Sequence, residues 1–173
     1  LTQAEDTYSF SFTMNDATDV EGQLIFLLGG SNADVTIDNV EMVRTSELPD
    51  REYVEVGENL LTDGAFETTT DFGENSVWKI HNQGQYEPGT GFADFSVENG
   101  VANASVTAVG WEWWHIQLFQ ENIHVPSGMY KISFDMKSDE ERPVYFKLTE
   151  SGIPMETFTV GNTMETYQTI IKV

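Results

Sequence analysis

The residues best suited to chemistry lie in one short run, Gly110-Trp111-Glu112-Trp113-Trp114-His115-Ile116-Gln117. Three tryptophans within four residues exceed what a core strand needs, and hydrogen-bonding side chains stand among them. Indole faces stack on weakly polar C–H surfaces, while amides, carboxylates and imidazoles satisfy a rim of hydroxyls. That pairing suits a sugar ring. In a regular strand, alternation puts Trp111, Trp113, His115 and Gln117 on one side and Trp114, Ile116 and Leu118 on the other. The first set reads as ligand-facing and the second as core. The alternative is that all three indoles pack the interior.

Other chemistries find little purchase. The absence of cysteine excludes disulfides, thiol catalysis and Cys-ligated zinc. His81, His115 and His124 lack the spacing of a zinc site. No E-x-D-x-x-E run offers the paired carboxylates of a glycosidase, and Asp139-Glu140-Glu141 reads as a turn. Neither a Gly-x-Ser-x-Gly elbow nor a phosphate-cradling loop occurs, so the expectation is a non-enzyme. A formal net charge of −21 repels phosphate backbones and anionic bilayers, so neither nucleic acid nor membrane insertion is expected. The longest apolar run, Leu24–Leu28, is also too short to span a bilayer. A neutral glycan is compatible with such a field.

The elements that must position this run read as β. Tyr8-Ser9-Phe10-Ser11-Phe12-Thr13-Met14 alternates large apolar with small polar residues, the period of a half-buried strand. Further strands are expected at Gln23–Leu28, Val35–Val43, Val77–His81, Gly100–Val109, Trp113–Val125, Met129–Met136, Val144–Thr149, Thr157–Val160 and Tyr167–Val173. Gly, Pro and Asn/Asp punctuate them, and no helical stripe of useful length appears. A length of 173 residues suits one domain. With Leu1 first, the chain reads as a piece of a longer protein.

Residues 45–58 hold Pro49 and several acidic residues with few large apolar ones, and read as a surface linker. Asn59-Leu60-Leu61 then begins a new strand. One internal repeat stands out: Glu5-Asp6-Thr7-Tyr8 recurs as Met164-Glu165-Thr166-Tyr167, 159 residues later, each followed by alternation.

Several stretches resemble carbohydrate-binding modules of the family 4/9/22-like group, as found in xylanases and β-glucanases. Asn59-Leu60-Leu61-x-x-Gly64-x-Phe66-Glu67 is similar to their opening strand, and Trp114-His115-Ile116-Gln117-Leu118 to their central one. Gly128-x-Tyr130-x-Ile132-Ser133-Phe134-Asp135-Met136 resembles the strand that follows. Thr7-Tyr8-x-Phe10-x-Phe12-Thr13-Met14 and Val35-Thr36-Ile37-Asp38-Asn39-Val40 look like the two closing strands, here placed first.

The resemblance implies an all-β fold, a jelly-roll β-sandwich of two antiparallel sheets, in circularly shifted order. Residues 1–44 would supply closing strands and 59–163 the opening and central strands, of the same sandwich or of the next repeat. Residues 164–173 would be a surplus copy of the strand at 7–14. The resemblance also points to Trp114 and Gln117 as a contacting pair, which a bulge at Trp113-Trp114 would bring to one side. It adds Gln23 and Phe158 along the same cleft. Glu67 and Asp38 become candidate ligands of a structural calcium, carboxylates being suited to a hard cation. The implied function is non-catalytic binding of a β-linked plant polysaccharide, foremost β-1,4-xylan. It would act outside the cell, for an attached glycoside hydrolase. The competing expectation is a spacer or adhesin sandwich without glycan binding.

Overall fold

The computed structural model describes residues 7–13, 19–47, 53–55, 57–149 and 154–173, with side chains over 22–43, 57–149 and 154–173. The fold is all-β. The strands are β1 (Thr7–Thr13), β2 (Asp19–Leu27), β3 (Val35–Glu47), β4 (Tyr53–Glu55), β5 (Lys79–Asn82), β6 (Phe92–Glu98), β7 (Val101–Ala108), β8 (Ile116–Val125), β9 (Met129–Ser138), β10 (Arg142–Leu148), β11 (Glu156–Val160) and β12 (Glu165–Lys172).

Two sheets form. One runs β1-β12-β9-β3-β7-β6 with β4 paired to β3; the other runs β11-β10-β2-β8-β5. All pairings are antiparallel except β1 with β12. Alternation explains the layering. Tyr130, Ile132, Phe134 and Met136 of β9, and Val144, Phe146 and Leu148 of β10, turn inward and are sealed from solvent. Phe26 and Phe134 meet edge to face at 4.8 Å between the sheets, and Tyr167 stacks on Phe134 at 5.6 Å. Edge-on and offset rings pack well because each ring's positive rim meets a neighbour's negative face.

β2 and β3 lie within the sheets built by the later strands: β2 sits between β8 and β10, and β3 between β7 and β9. Three expectations need correcting. The stretch 45–58 is not a plain linker, because β3 runs on to Glu47 and Tyr53–Glu55 pairs back onto it, Thr45 facing Glu55. Thr45, Tyr53 and Val54 are good strand formers, and that outweighs the acidic composition. The segment opening at Asn59 forms no strand. Its backbone turns through positive φ at Asp63 and Phe66. It docks instead through Val40 N–H to the Gly64 carbonyl and Leu60 N–H to the Met42 carbonyl, both 3.1 Å. A Cβ at Gly64 would stand 2.1 Å from the Val40 carbonyl oxygen, an approach only glycine allows. Finally β6 arises at Phe92–Glu98, where no strand was expected, its apolar positions being too scattered to show the period.

Candidate ligand-binding face

The tryptophan run does not begin as a strand. Trp113–His115 make one tight 3-10 turn, and β8 starts only at Ile116. That turn changes which side each residue faces. His115 is driven inside, 2% exposed, while Trp114 comes out at 36% and Trp111 at 65%. Glycines make the room. A Cβ at Gly110 or Gly91 would come within 2.6 or 2.7 Å of the His115 side chain, and one at Gly29 within 2.5 Å of the Glu112 carbonyl oxygen. The His115 ring meets Trp111 edge-on at 4.9 Å and Trp114 at 4.4 Å, so it props both indoles from below. Its Nδ1 is buried without a partner.

Two contacts hold the turn to the sheet. Gly29 N–H donates to the Trp113 carbonyl at 3.2 Å, and the Gln117 side-chain amide donates to the Trp114 carbonyl at 2.7 Å. Beneath Gly29 lies Arg142, 2% exposed. Its guanidinium donates to the carbonyls of Ala33 (2.6 Å), Leu28 and Gly29 (3.3 Å), binding the 28–33 loop to the start of β10. Burial pushes this guanidinium down to about 10, with the neighbouring Tyr145 opposing.

Register assembles the rest. Across the outer side of the five-stranded sheet, Thr157 faces Tyr145, Tyr145 faces Leu27, Leu27 faces Gln117, and Gln117 faces His81. From β10 to β5 this row crosses three strand spacings, about 14 Å. Each end carries aromatic rings. Trp113 lies 6.0 Å from Tyr145, and His81 lies 6.4 Å from Trp114 and stacks with Tyr86 at 5.7 Å. Tyr86 is 73% exposed. Its loop is closed by Gly84 N–H to the Gly91 carbonyl (2.9 Å) and by Asn82, whose buried side chain both donates to and accepts from the Ala93 backbone. His81 Nε2 lies 3.1 Å from Gln83 Oε1. The result is a face with flat rings at its ends and an amide between them, its Leu27 sealed from solvent.

The expected residues therefore divide. Trp111, Trp113, Trp114 and Gln117 come together on or beside this face. Gln23 is half-buried on β2, two residues before Ile25 on the same side, and its Oε1 accepts from the Thr149 hydroxyl at 3.3 Å. His115 and Phe158 are corrections: neither stands on the face. The 3-10 turn carries His115 inward. Phe158 belongs to the core, edge-on to Phe134 and Tyr167 at 5.1 and 5.6 Å, because alternation in β11 sends Thr157 and Thr159 outward instead. His81 and Tyr145 were missed. Each occupies an outward position of its strand, but which strands neighbour β8 was not readable. Trp78 is fully buried, its indole N–H donating to the Asp63 carbonyl at 2.9 Å.

Asp38 and Glu67 lie on the two segments joined by the bond from Val40 to Gly64. Glu67 lines a shallow cavity with Asn39, Glu41, Asn59 and Asp63; Asp38 is not among its lining residues. Burial holds the Asp38 carboxyl above the usual range, the Asn39 N–H pulls it down, and Asp135 adds to the rise. Asp63 is committed elsewhere, accepting from the Thr68 and Thr69 amides and the Thr69 hydroxyl. The oxygen donors here suit calcium in kind. Among the described residues, however, no three acidic or imidazole side chains converge on one point.

Set against protein-family models, curated protein sequences and solved structures, the chain matches none.

Proposed function

We propose that this protein is a non-catalytic carbohydrate-binding module. It would hold a β-linked polysaccharide, β-1,4-xylan foremost, along the aromatic row of the five-stranded sheet. The observation that carries this reading is the exposure of Trp114 and Tyr86 against His81, beside Gln117, with the exposed Trp111 resting on the same His115 ring as Trp114. A soluble protein leaves large rings open to water mainly where something is to cover them. The outward row from Tyr145 to His81 crosses three strand spacings, about 14 Å, which gives room for several units of an extended chain, whose C–H faces stack on the rings while hydroxyls meet Gln117, His81 and the Tyr145 hydroxyl. Affinity gained from such open stacking is modest, in the micromolar to millimolar range, about −8 to −4 kcal/mol. An extracellular role beside a glycoside hydrolase, raising its local concentration on insoluble substrate, follows from the same reading. Calcium bridging Asp38 and Glu67 is its metal component, and backbone carbonyls would have to complete the shell.

The test is titration of the protein with xylohexaose, followed by indole fluorescence. Binding gives a saturable shift, and Trp114→Ala weakens it about tenfold, a loss of about 1.4 kcal/mol. No saturable change with xylan, mixed-linkage β-glucan or cello-oligosaccharides returns the protein to the spacer reading.

A further inference from the structure

The internal repeat reappears in the fold as a pairing. β1 and β12 lie side by side and parallel, with Thr7 opposite Thr166 and Tyr8 opposite Tyr167, and the register keeps this offset through Thr13 and Lys172. Equal positions of the two copies are therefore neighbours. Of the two copies, β12 takes the place beside β9 on the side away from β3, pairing from Glu165–Met136 to Lys172–Met129. β1 reaches β9 at one point, where Thr13 also pairs with Met129. Both strands run antiparallel to β9, so either has the direction that place requires.

The place selects for groups that both copies carry. Thr166 donates its hydroxyl to Asp135 Oδ1 at 2.5 Å, and Tyr167 packs its ring against both Phe134 and Phe158. Thr7 and Tyr8 are the same residues at the same positions of the repeat. Further along, β12 turns Thr169 and Ile171 into the core, both fully sealed. The twins of these residues are Phe10 and Phe12, apolar and in phase. At one position the present occupant is the worse fit. The Thr169 hydroxyl is buried with no partner, a polar group stranded where the other copy carries a phenyl ring.

We infer that the sandwich has one closing seat beside β9 and two interchangeable strands for it, residues 165–172 and residues 7–13. Because each chain holds one strand more than it has seats, the surplus strand of one copy can also close the seat of another. The partner is thus a second copy of this unit, joined by strand exchange.

Having no cysteines, the chain accepts designed pairs without interference. Ser133 faces Gln168 across β9 and β12, so the pair Ser133→Cys with Gln168→Cys reports β12 in the seat. The twin of Gln168 is Ser9, so Ser133→Cys with Ser9→Cys reports β1 there. With β12 seated, residue 9 is two strand spacings from residue 133, about 9.6 Å, beyond the roughly 7 Å Cα reach of a disulfide. The expected result under mild oxidation is that both pairs cross-link, the second within one chain or between two as a covalent dimer on a non-reducing gel. Quantitative closure of the first pair with the second remaining free thiol overturns the inference. Should either pair impair folding, deuterium exchange on the full chain asks the same question. Tyr8→Asp, by disabling the competitor, is expected to slow exchange of the 165–172 amides, and unchanged exchange overturns the proposal.

Discussion

Replacing Arg142 with alanine tests whether the aromatic turn is held from beneath. The guanidinium's two closest bonds go to the carbonyls of Leu28 and Ala33. Bonds from a charged donor contribute about 1.5–3 kcal/mol each, so losing both removes about 3–6 kcal/mol. Two buried methylenes lost from the stem add about 1.5 kcal/mol. Against this stands the burial of the charge, which moves the guanidinium from its ordinary value down to about 10. That shift is a penalty of roughly 3 kcal/mol. The folded value lies below the unfolded one, so the penalty is constant through neutral pH and eases only as pH rises past about 10. The balance at neutral pH is a loss of about 2–4 kcal/mol, which for a domain of this size lowers Tm by about 4–16 °C. Thermal and urea unfolding near neutral pH measure it. Arg142→Lys should rescue little, since one ammonium is not the planar fork that spans two carbonyls. Xylohexaose affinity should fall with stability, because the 28–33 loop carries Gly29, which anchors Trp113. An alanine variant melting within a degree of the unaltered protein, or a lysine variant that restores it fully, would refute this accounting.

Two tryptophan replacements should separate by location: Trp78→Ala, at a sealed site, should destabilise by about 3–5 kcal/mol in urea melts. Trp111→Ala, two-thirds exposed, should stay within about 0.5 kcal/mol while weakening glycan binding. Asn82→Ala breaks both bonds to Ala93 and should cost about 1–3 kcal/mol, and it should loosen the Tyr86 loop, read as faster proteolysis there. For the acid limb, burial pushes the Asp63 carboxyl up, but the Thr68 and Thr69 hydrogen bonds outweigh it and hold it below 3.8. Its contribution is therefore present above that value and lost as pH falls through the lower one, so Asp63→Ala should flatten stability against pH on the acid side. Calcium should raise Tm over an EDTA-treated sample, and Asp38→Asn should abolish that rise while itself raising Tm slightly without metal, since burial disfavours the charged Asp38.

How far the sequence could be read depended on whether the signal was local. Alternation marked β9, β10 and β12 because their inward residues, such as Tyr130, Ile132 and Phe134, must recur every second position. Composition failed for 45–58, where a few β-branched and aromatic residues sufficed for a short ladder. It failed again at Asn59–Glu67, where close docking of Gly64 on Val40 replaced the expected strand. The tryptophan run shows the limit most clearly. A period of two assumes a strand, and the 3-10 turn at Trp113–His115 reversed the facing of His115 and Trp114.

From its residues alone, this protein was bound to be all-β, acidic, free of disulfides, and supplied with more indole than one strand's core needs. Those traits depend on residue identity and short-range period. Which rings share a face was decided by tertiary structure. Tyr145 and His81 join Trp113, Trp114 and Gln117 only because β10, β2, β8 and β5 lie in that order and register. Strand neighbours are chosen by the fit of whole sheets around one core, a long-range choice that no local pattern of side chains encodes.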